Sequence, residues 1–226
     1  MSTNIFPLFA GVDIIHRLGV AVRFFDIFTG ETVLVPLEVS IPAERWTAFR
    51  AETDGTYRFA VTNQDVPTLV NSDIEVVIPG EEYESREPLQ VSLPIVVGHP
   101  PPVVRPDYLL EFPLWPTRRR RTPPAETAIT GRIVSGGVTN VDGLRVFLFE
   151  PPGPAPVSPY AYTNAAGEFL FRLPQLRARM SGAVPVITAT LNMEIRDPSN
   201  TLVAPVNPGS VVAGLGRLSF FEFTVP

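Results

Sequence analysis

Proline limits this chain more than any other residue. Twenty-six prolines and sixteen glycines are spread through 226 residues. Proline fixes φ and has no amide hydrogen, so it interrupts helix interiors and is confined to the margins of sheets. The stretches between these breakers are rich in Val, Ile, Phe and Thr, which fit a pleated, half-buried surface. The chain is therefore restricted to many short strands joined by turns, an all-β architecture.

The clearest strand runs from Ile187 to Arg196. Ile187, Ala189, Leu191, Met193 and Ile195 alternate there with Thr188, Thr190, Asn192, Glu194 and Arg196. Successive side chains point to opposite faces, so the first set is expected in the core and the second in solvent. Tyr57, Phe59 and Val61 show the same alternation, as do Ile74, Val76 and Ile78, and Leu89, Val91 and Leu93. None carries a sustained helical period. Pro42 to Glu52 suits a helix, with proline in the first turn and good helix formers after it. It suits a strand equally, with Trp46, Ala48 and Arg50 along one face.

One constant offset lays Gly55, Tyr57 and Phe59 onto Gly167, Phe169 and Phe171. The same offset carries Gly19-Val-Ala-Val onto Gly131-Arg-Ile-Val, and Leu34 to Val39 onto Val146 to Pro151. The offset lengthens near the end, where Pro88 to Pro94 resembles Phe220 to Pro226. The expected organisation is two tandem antiparallel β-sandwich domains at 19–98 and 127–226. An N-terminal arm or first strand occupies 1–18, and a Pro/Arg-rich linker 99–126. Halves of about 110 residues each are large enough for a packed core.

The second half contains GRIVSGG from Gly131, DGLRVFLFE from Asp142, TNAAGEFLFRLP from Thr163, the strand VITATLNMEI and the closing FFEFTV. These blocks resemble the carboxypeptidase regulatory-like family. The resemblance implies a transthyretin-like (immunoglobulin-type) sandwich of about seven strands that serves as a non-enzymatic accessory module. The first half resembles it more loosely, through ETDGTYRFAV at Glu52.

Composition removes several chemistries. All 18 basic residues are arginine and no cysteine is present, which excludes disulfides, thiolate nucleophiles, Schiff-base lysines and the P-loop lysine. The only histidines, His16 and His99, stand in no metal-binding spacing, and no G-x-S-x-G elbow occurs. Asp142 in NVDG, and Asp197 with Asn200 in RDPSN, suggest calcium loops but read better as turns. No catalytic, cofactor or metal site is expected. Nor is a small-molecule ligand. A net charge of −5 argues against nucleic acid, and no apolar run approaches the ~18 residues of a membrane span. The first residues lack the pattern of a signal peptide, so synthesis in the cytoplasm is expected.

Partner contacts are expected at three places. The apolar arm offers Ile5, Phe6, Leu8 and Phe9; the cluster from Tyr108 onward offers Phe112, Leu114 and Trp115; the charge run offers Arg118, Arg119, Arg120 and Arg121. The linker cluster is too apolar to hang free and should pack on a domain or a neighbouring subunit. The arginines suit an acidic protein surface, against the blander reading of a solvated corner. These features point to a structural or adaptor subunit of a larger protein assembly, with a released phage-tail-like or contractile injection particle as the specific expectation. The alternative is a carbohydrate-binding or cell-surface adhesion module in which Trp46, Tyr160 or Tyr162 stacks on sugar rings.

Overall fold

A computed structural model describes residues 16–42, 46–50, 54–62, 72–91, 109–137, 140–153, 155–205 and 211–226. Arm residues Ile5, Phe6, Leu8 and Phe9, and His99, lie outside them. The described residues form twenty strands and no α-helix. They fall into two compact units. Unit 1 is drawn from Met1–Arg23, Leu37–Val77 and Pro88–Phe112, and unit 2 from Phe24–Pro36, Ile78–Glu87 and Pro113–Pro226. The units are interleaved in the chain, whereas the sequence suggested two contiguous halves.

The first ten strands are β1 (His16–Asp26), β2 (Glu38–Ile41), β3 (Trp46–Thr47), β4 (Phe49–Arg50), β5 (Thr56–Thr62), β6 (Ser72–Asp73), β7 (Glu75–Val77), β8 (Tyr83–Glu84), β9 (Gln90–Val91) and β10 (Leu109–Pro116). In unit 1, β1 pairs antiparallel with β5, Val20 opposite Phe59 and Val22 opposite Tyr57. β4 extends this sheet beyond β5, and β10 lies beside β1. A second sheet runs β3-β2-β7, and β6 pairs with β9. Val20, Val22, Val39, Ile41, Tyr57, Phe59, Ile74, Leu89 and Val91 are buried. The Tyr57 hydroxyl accepts the Leu37 amide hydrogen at 2.9 Å. In the segment that suited helix or strand, the described residues 46–50 are extended: Ile41 faces Trp46, Ser40 faces Thr47, and Ala48 N–H donates to the Val39 carbonyl.

The remaining strands belong to unit 2: β11 (Ala128–Ser135), β12 (Arg145–Phe149), β13 (Ala161–Tyr162), β14 (Glu168–Arg172), β15 (Arg179–Ser181), β16 (Val184–Val186), β17 (Thr188–Arg196), β18 (Leu202–Pro205), β19 (Val211–Gly214) and β20 (Leu218–Val225). One sheet runs β14-β11-β20, the other β13-β12-β17-β18 with β19 also on β17. Leu191, Met193 and Ile195 of β17 meet Val146 and Leu148 of β12 in a core that includes Ile129, Ile133, Phe169, Phe171, Phe28 and Trp115.

Two glycines show why the second half reads as it does. Gly167 sits at φ +74, and a Cβ there would overlap the Ile133 carbonyl oxygen. Gly55 takes φ +66 at the corresponding place in unit 1. Gly131 lies opposite Phe169 across the β11–β14 ladder, and its missing side chain makes room for the Phe169 ring.

Two of the three aligned blocks hold at the level of strands; the third fails, because Val146–Phe149 of β12 aligns with Leu34–Leu37, which is not a strand. The two that hold form β1 with β5 and β11 with β14, both antiparallel. Registers differ: Phe169 faces Gly131, but Tyr57 faces Val22, three positions beyond the glycine that the offset aligns with it. The end-match also fails. β20 pairs with β11 in parallel, whereas Gln90–Val91 pairs with β6.

The expected linker is not a free spacer over its length, because Leu109–Pro116 is a strand. Leu114 and Trp115 are buried within unit 2, so neither is an open partner contact, and Phe112 is half-buried in unit 1. Hydrophobic gain explains this: Trp115 packs edge-on to Tyr162 at 5.2 Å, and its Nε1 donates to the Tyr160 carbonyl at 3.1 Å.

Candidate interaction surfaces

The arginine run follows β10 within unit 2. Arg118 pairs with Glu168 at 2.5 Å, Arg119 with Glu81, and Arg120 with Glu82 at 3.2 Å. Arg118 also lies over the Phe220 ring at 5.6 Å and Arg120 over Tyr83 at 5.3 Å. Arg121 is exposed and has no ion-pair partner among the described residues. Unit 2 thus supplies its own acids to three of the four arginines. Exposed pairs of this kind contribute little, about 0–1 kcal/mol each, and exchange readily for a partner's carboxylates.

Beneath this corner lies a buried ionic cluster. Arg172 is 3% exposed, with Nη1 at 2.6 Å from Asp26 Oδ2 and with Nε and Nη2 each at 2.8 Å from the Glu126 carboxylate. Asp26 Oδ1 accepts the amide hydrogens of Phe28 and Thr29, and Tyr83 donates its hydroxyl to Oδ2 at 3.2 Å. Burial alone would work against the Arg172 charge. The Glu126 hydrogen bonds and the Asp26 carboxylate outweigh it and raise the pKa overall. Burial, with the Asp26 charge adding to it, pushes the Tyr83 hydroxyl up to about 12. The cluster joins the chain at 26, 83, 126 and 172 into unit 2, which makes it a positioning device.

An apolar surface that the sequence reading missed lies on the β15–β16 hairpin. Ser181 pairs with Val184 across the two-residue turn Gly182-Ala183, with Gly182 at φ +64 as primed hairpin turns require. Met180 is 63% exposed, Val184 66%, and Ile187 just beyond the hairpin 57%. Ile187 was expected in the core as the first residue of the clearest strand. It falls in the break between β16 and β17, where its carbonyl accepts the Leu215 amide hydrogen and the alternation has not begun. The signal available in the sequence was Ser-Gly-Ala between apolar residues, a short-hairpin pattern.

The remaining sequence candidates resolve into structural roles where they are described. Tyr162 is buried. Tyr160 is half-buried, donates its hydroxyl to Glu87 at 2.6 Å and is covered by Arg145 at 5.4 Å. Neither offers a free ring face to a sugar, and the Trp46 side chain lies outside the described residues. Asn140 Oδ1 accepts the Asp142 amide hydrogen, and Asp197 Oδ1 accepts that of Thr201, with Asn200 at φ +67. Both acidic loops are turns. Among the described residues no group of three His, Asp or Glu side chains converges as a metal site, and no helix is long and apolar enough to cross a membrane.

No protein-family model matches the chain, and no curated protein matches it in sequence. Among solved structures, the TIE protein of Bacillus anthracis is similar at 8% identity and a TM-score of 0.30, over 92% of this chain and 33% of that one. The shaft pilin SpaA of Lactobacillus rhamnosus GG (D295N mutant) is similar at 8% identity and 0.26, over 94% of this chain and 97% of that one. A streptococcal ancillary pilin is similar at 11% identity and 0.24, over 92% and 62%. This chain therefore spans about a third of the length of the TIE protein.

Proposed function

We propose that this protein is a structural or adaptor subunit that works through its surfaces, docking a protein partner on the β15–β16 hairpin. The observation that carries this reading is the exposure of Met180, Val184 and Ile187 on and beside a two-stranded ribbon. An isolated ribbon of this length is marginal in water, and covering three apolar side chains would contribute about 1.5–3 kcal/mol for each. Met180 shares one face of the ribbon with Pro185 and Val184 the other with Ser181, so a partner that clasps the ribbon would cover both. Arg118, Arg119 and Arg121 supply exposed cations that suit an acidic rim on the same class of partner.

Two finer readings belong to this proposal. Unit 2 is a carboxypeptidase regulatory-like module, a reading supported by the Gly167 turn and the Phe169–Phe171 strand in the TNAAGEFLFRLP block. The assembly is a released phage-tail-like or contractile injection particle.

Co-expression with the proteins encoded beside its gene tests the proposal. The wild-type chain is expected to co-purify with at least one of them, and M180D/V184D to lose that partner while keeping its far-ultraviolet circular dichroism. A chain that purifies alone, or a complex indifferent to the substitutions, would overturn it. Sedimentation with intact particles tests the finer assembly reading.

A further inference from the structure

We propose that β20 is a homodimer edge, at which a second copy of this chain adds its own β20 antiparallel. The inference concerns a different surface from the hairpin and stands independently of the assembly reading.

The ladder shows which groups are free. Ala128 N–H donates to the Arg217 carbonyl and Gly136 N–H to the Val225 carbonyl. Odd-numbered residues of β20 therefore turn their backbone groups toward β11, and the even-numbered Leu218, Phe220, Glu222 and Thr224 turn theirs toward the opposite edge. Among the described strands β20 pairs with β11 alone. The other margin of the sheet is closed differently: Phe169 to Arg172 of β14 are all buried. On β20, Leu218 and Phe220 are 58% and 52% exposed.

Proteins blunt such edges with proline, lysine or a bulge. β20 has neither proline nor lysine between Leu218 and Val225, and its register with β11 is uninterrupted over eight pairs. The edge is long and without a bulge, Leu218 and Phe220 are exposed along it, and its single charge is Glu222.

That charge selects the occupant. In an antiparallel pair centred on Phe221, Phe220 of each copy stands opposite Glu222 of the other, and Leu218 opposite Thr224. Arg118 already lies over Phe220 at 5.6 Å, so each copy presents a cation beside the position that the other's Glu222 would take. A two-fold axis repeats the pairing, and such self-complementary contacts are the commonest basis of dimers. The register centred on Glu222 places like charges together and is disfavoured.

Sedimentation velocity on the full chain, across a dilution series, tests this. The wild-type protein is expected to dimerise. E222R sets arginine against the other copy's Arg118, and also beside Arg132 of its own β11, so circular dichroism is read with it; with the fold unchanged, dimerisation should weaken at least tenfold, and R118E/E222R should restore it. E222P removes an outward amide donor without touching the β11 ladder, and should also give monomers with unchanged circular dichroism. A monomeric wild-type chain would overturn the proposal, as would a dimer that tolerates E222P and E222R. So would a dimer abolished by deleting residues 1–15 yet indifferent to the β20 variants, because the arm would then be the occupant. None of these outcomes bears on M180D/V184D, so the two readings fail separately.

Discussion

Arg172 carries a charge into the interior of unit 2 and is matched there by two carboxylates, one of which, Asp26, also accepts the Tyr83 hydroxyl. Buried ion pairs add little net stability over apolar packing, but removing one partner strands the others. R172M is expected to cost about 3–5 kcal/mol in urea unfolding, and D26N/E126Q/R172M to recover part of that loss. Tyr83 gives the same cluster an alkaline limit. Its folded pKa, pushed up to about 12 by burial and by Asp26, exceeds the ordinary value of ~10. The folded state holds this proton more tightly than the unfolded chain, so the contribution is complete below about pH 10 and is lost as pH rises toward 12. Unfolding midpoints should fall over that window, and Y83F should flatten the fall without abolishing it, because burial and the Glu87 hydrogen bond also raise Tyr160. At Gly167, alanine would meet both a left-handed backbone and the Ile133 carbonyl. G167A should therefore lower stability by about 2–4 kcal/mol, read from thermal or urea unfolding.

The strands show how far residue patterns reach. β17 was legible because Leu191, Met193 and Ile195 alternate with polar neighbours and all three are buried. Gly55 and Gly167 were legible because a tight turn before an aromatic strand needs positive φ. Pairing was less so. Tyr57 faces Val22, but nothing in DGTYRFAV encodes a partner some 35 positions away, so two of the repeat's three blocks gave the correct strands in the wrong register. The apolar cluster in the linker was legible as a packed segment, but its strand was not. Pro113 and Pro116 suggest a spacer, yet β10 accepts both, and the apolar side chains between them gain more from burial than an extended spacer could offer. The hairpin's turn was legible in Ser-Gly-Ala, but the exposure of its apolar residues was not, because alternation reports burial only when a core lies on one side. Replacing Met180 and Val184 with serine should leave the unfolding midpoint of the isolated chain within about 0.5 kcal/mol, since exposed side chains away from packing contribute little. A larger loss in urea unfolding would mean that the hairpin packs within its own unit and is not a docking surface.

At the scale of the molecule, unit 2 depends on segments the chain supplies long before residue 127. Phe28 packs on Phe171 at 5.5 Å, Trp115 on Tyr162 at 5.2 Å, and Asp26 on Arg172 at 2.6 Å. All three early residues are buried, and each comes from a stretch that sequence analysis assigned to the first domain or the linker. A fragment starting at Thr127 keeps strands β11 to β20 but loses Asp26, Phe28, Trp115 and Glu126 together. Loss of the two large aromatic side chains alone costs about 3–5 kcal/mol each, against a typical total stability of about 5–15 kcal/mol. Residues 127–226 are therefore expected to express as an unstable, dye-binding species, although their sequence reads as a whole sandwich. A fragment starting at Leu109 restores Trp115 and Glu126 while still lacking Asp26 and Phe28, so it should fall between the fragment and the full chain in thermal midpoint. Differential scanning calorimetry on the three proteins measures that order, and equal midpoints would show that the late strands fold without the early segments.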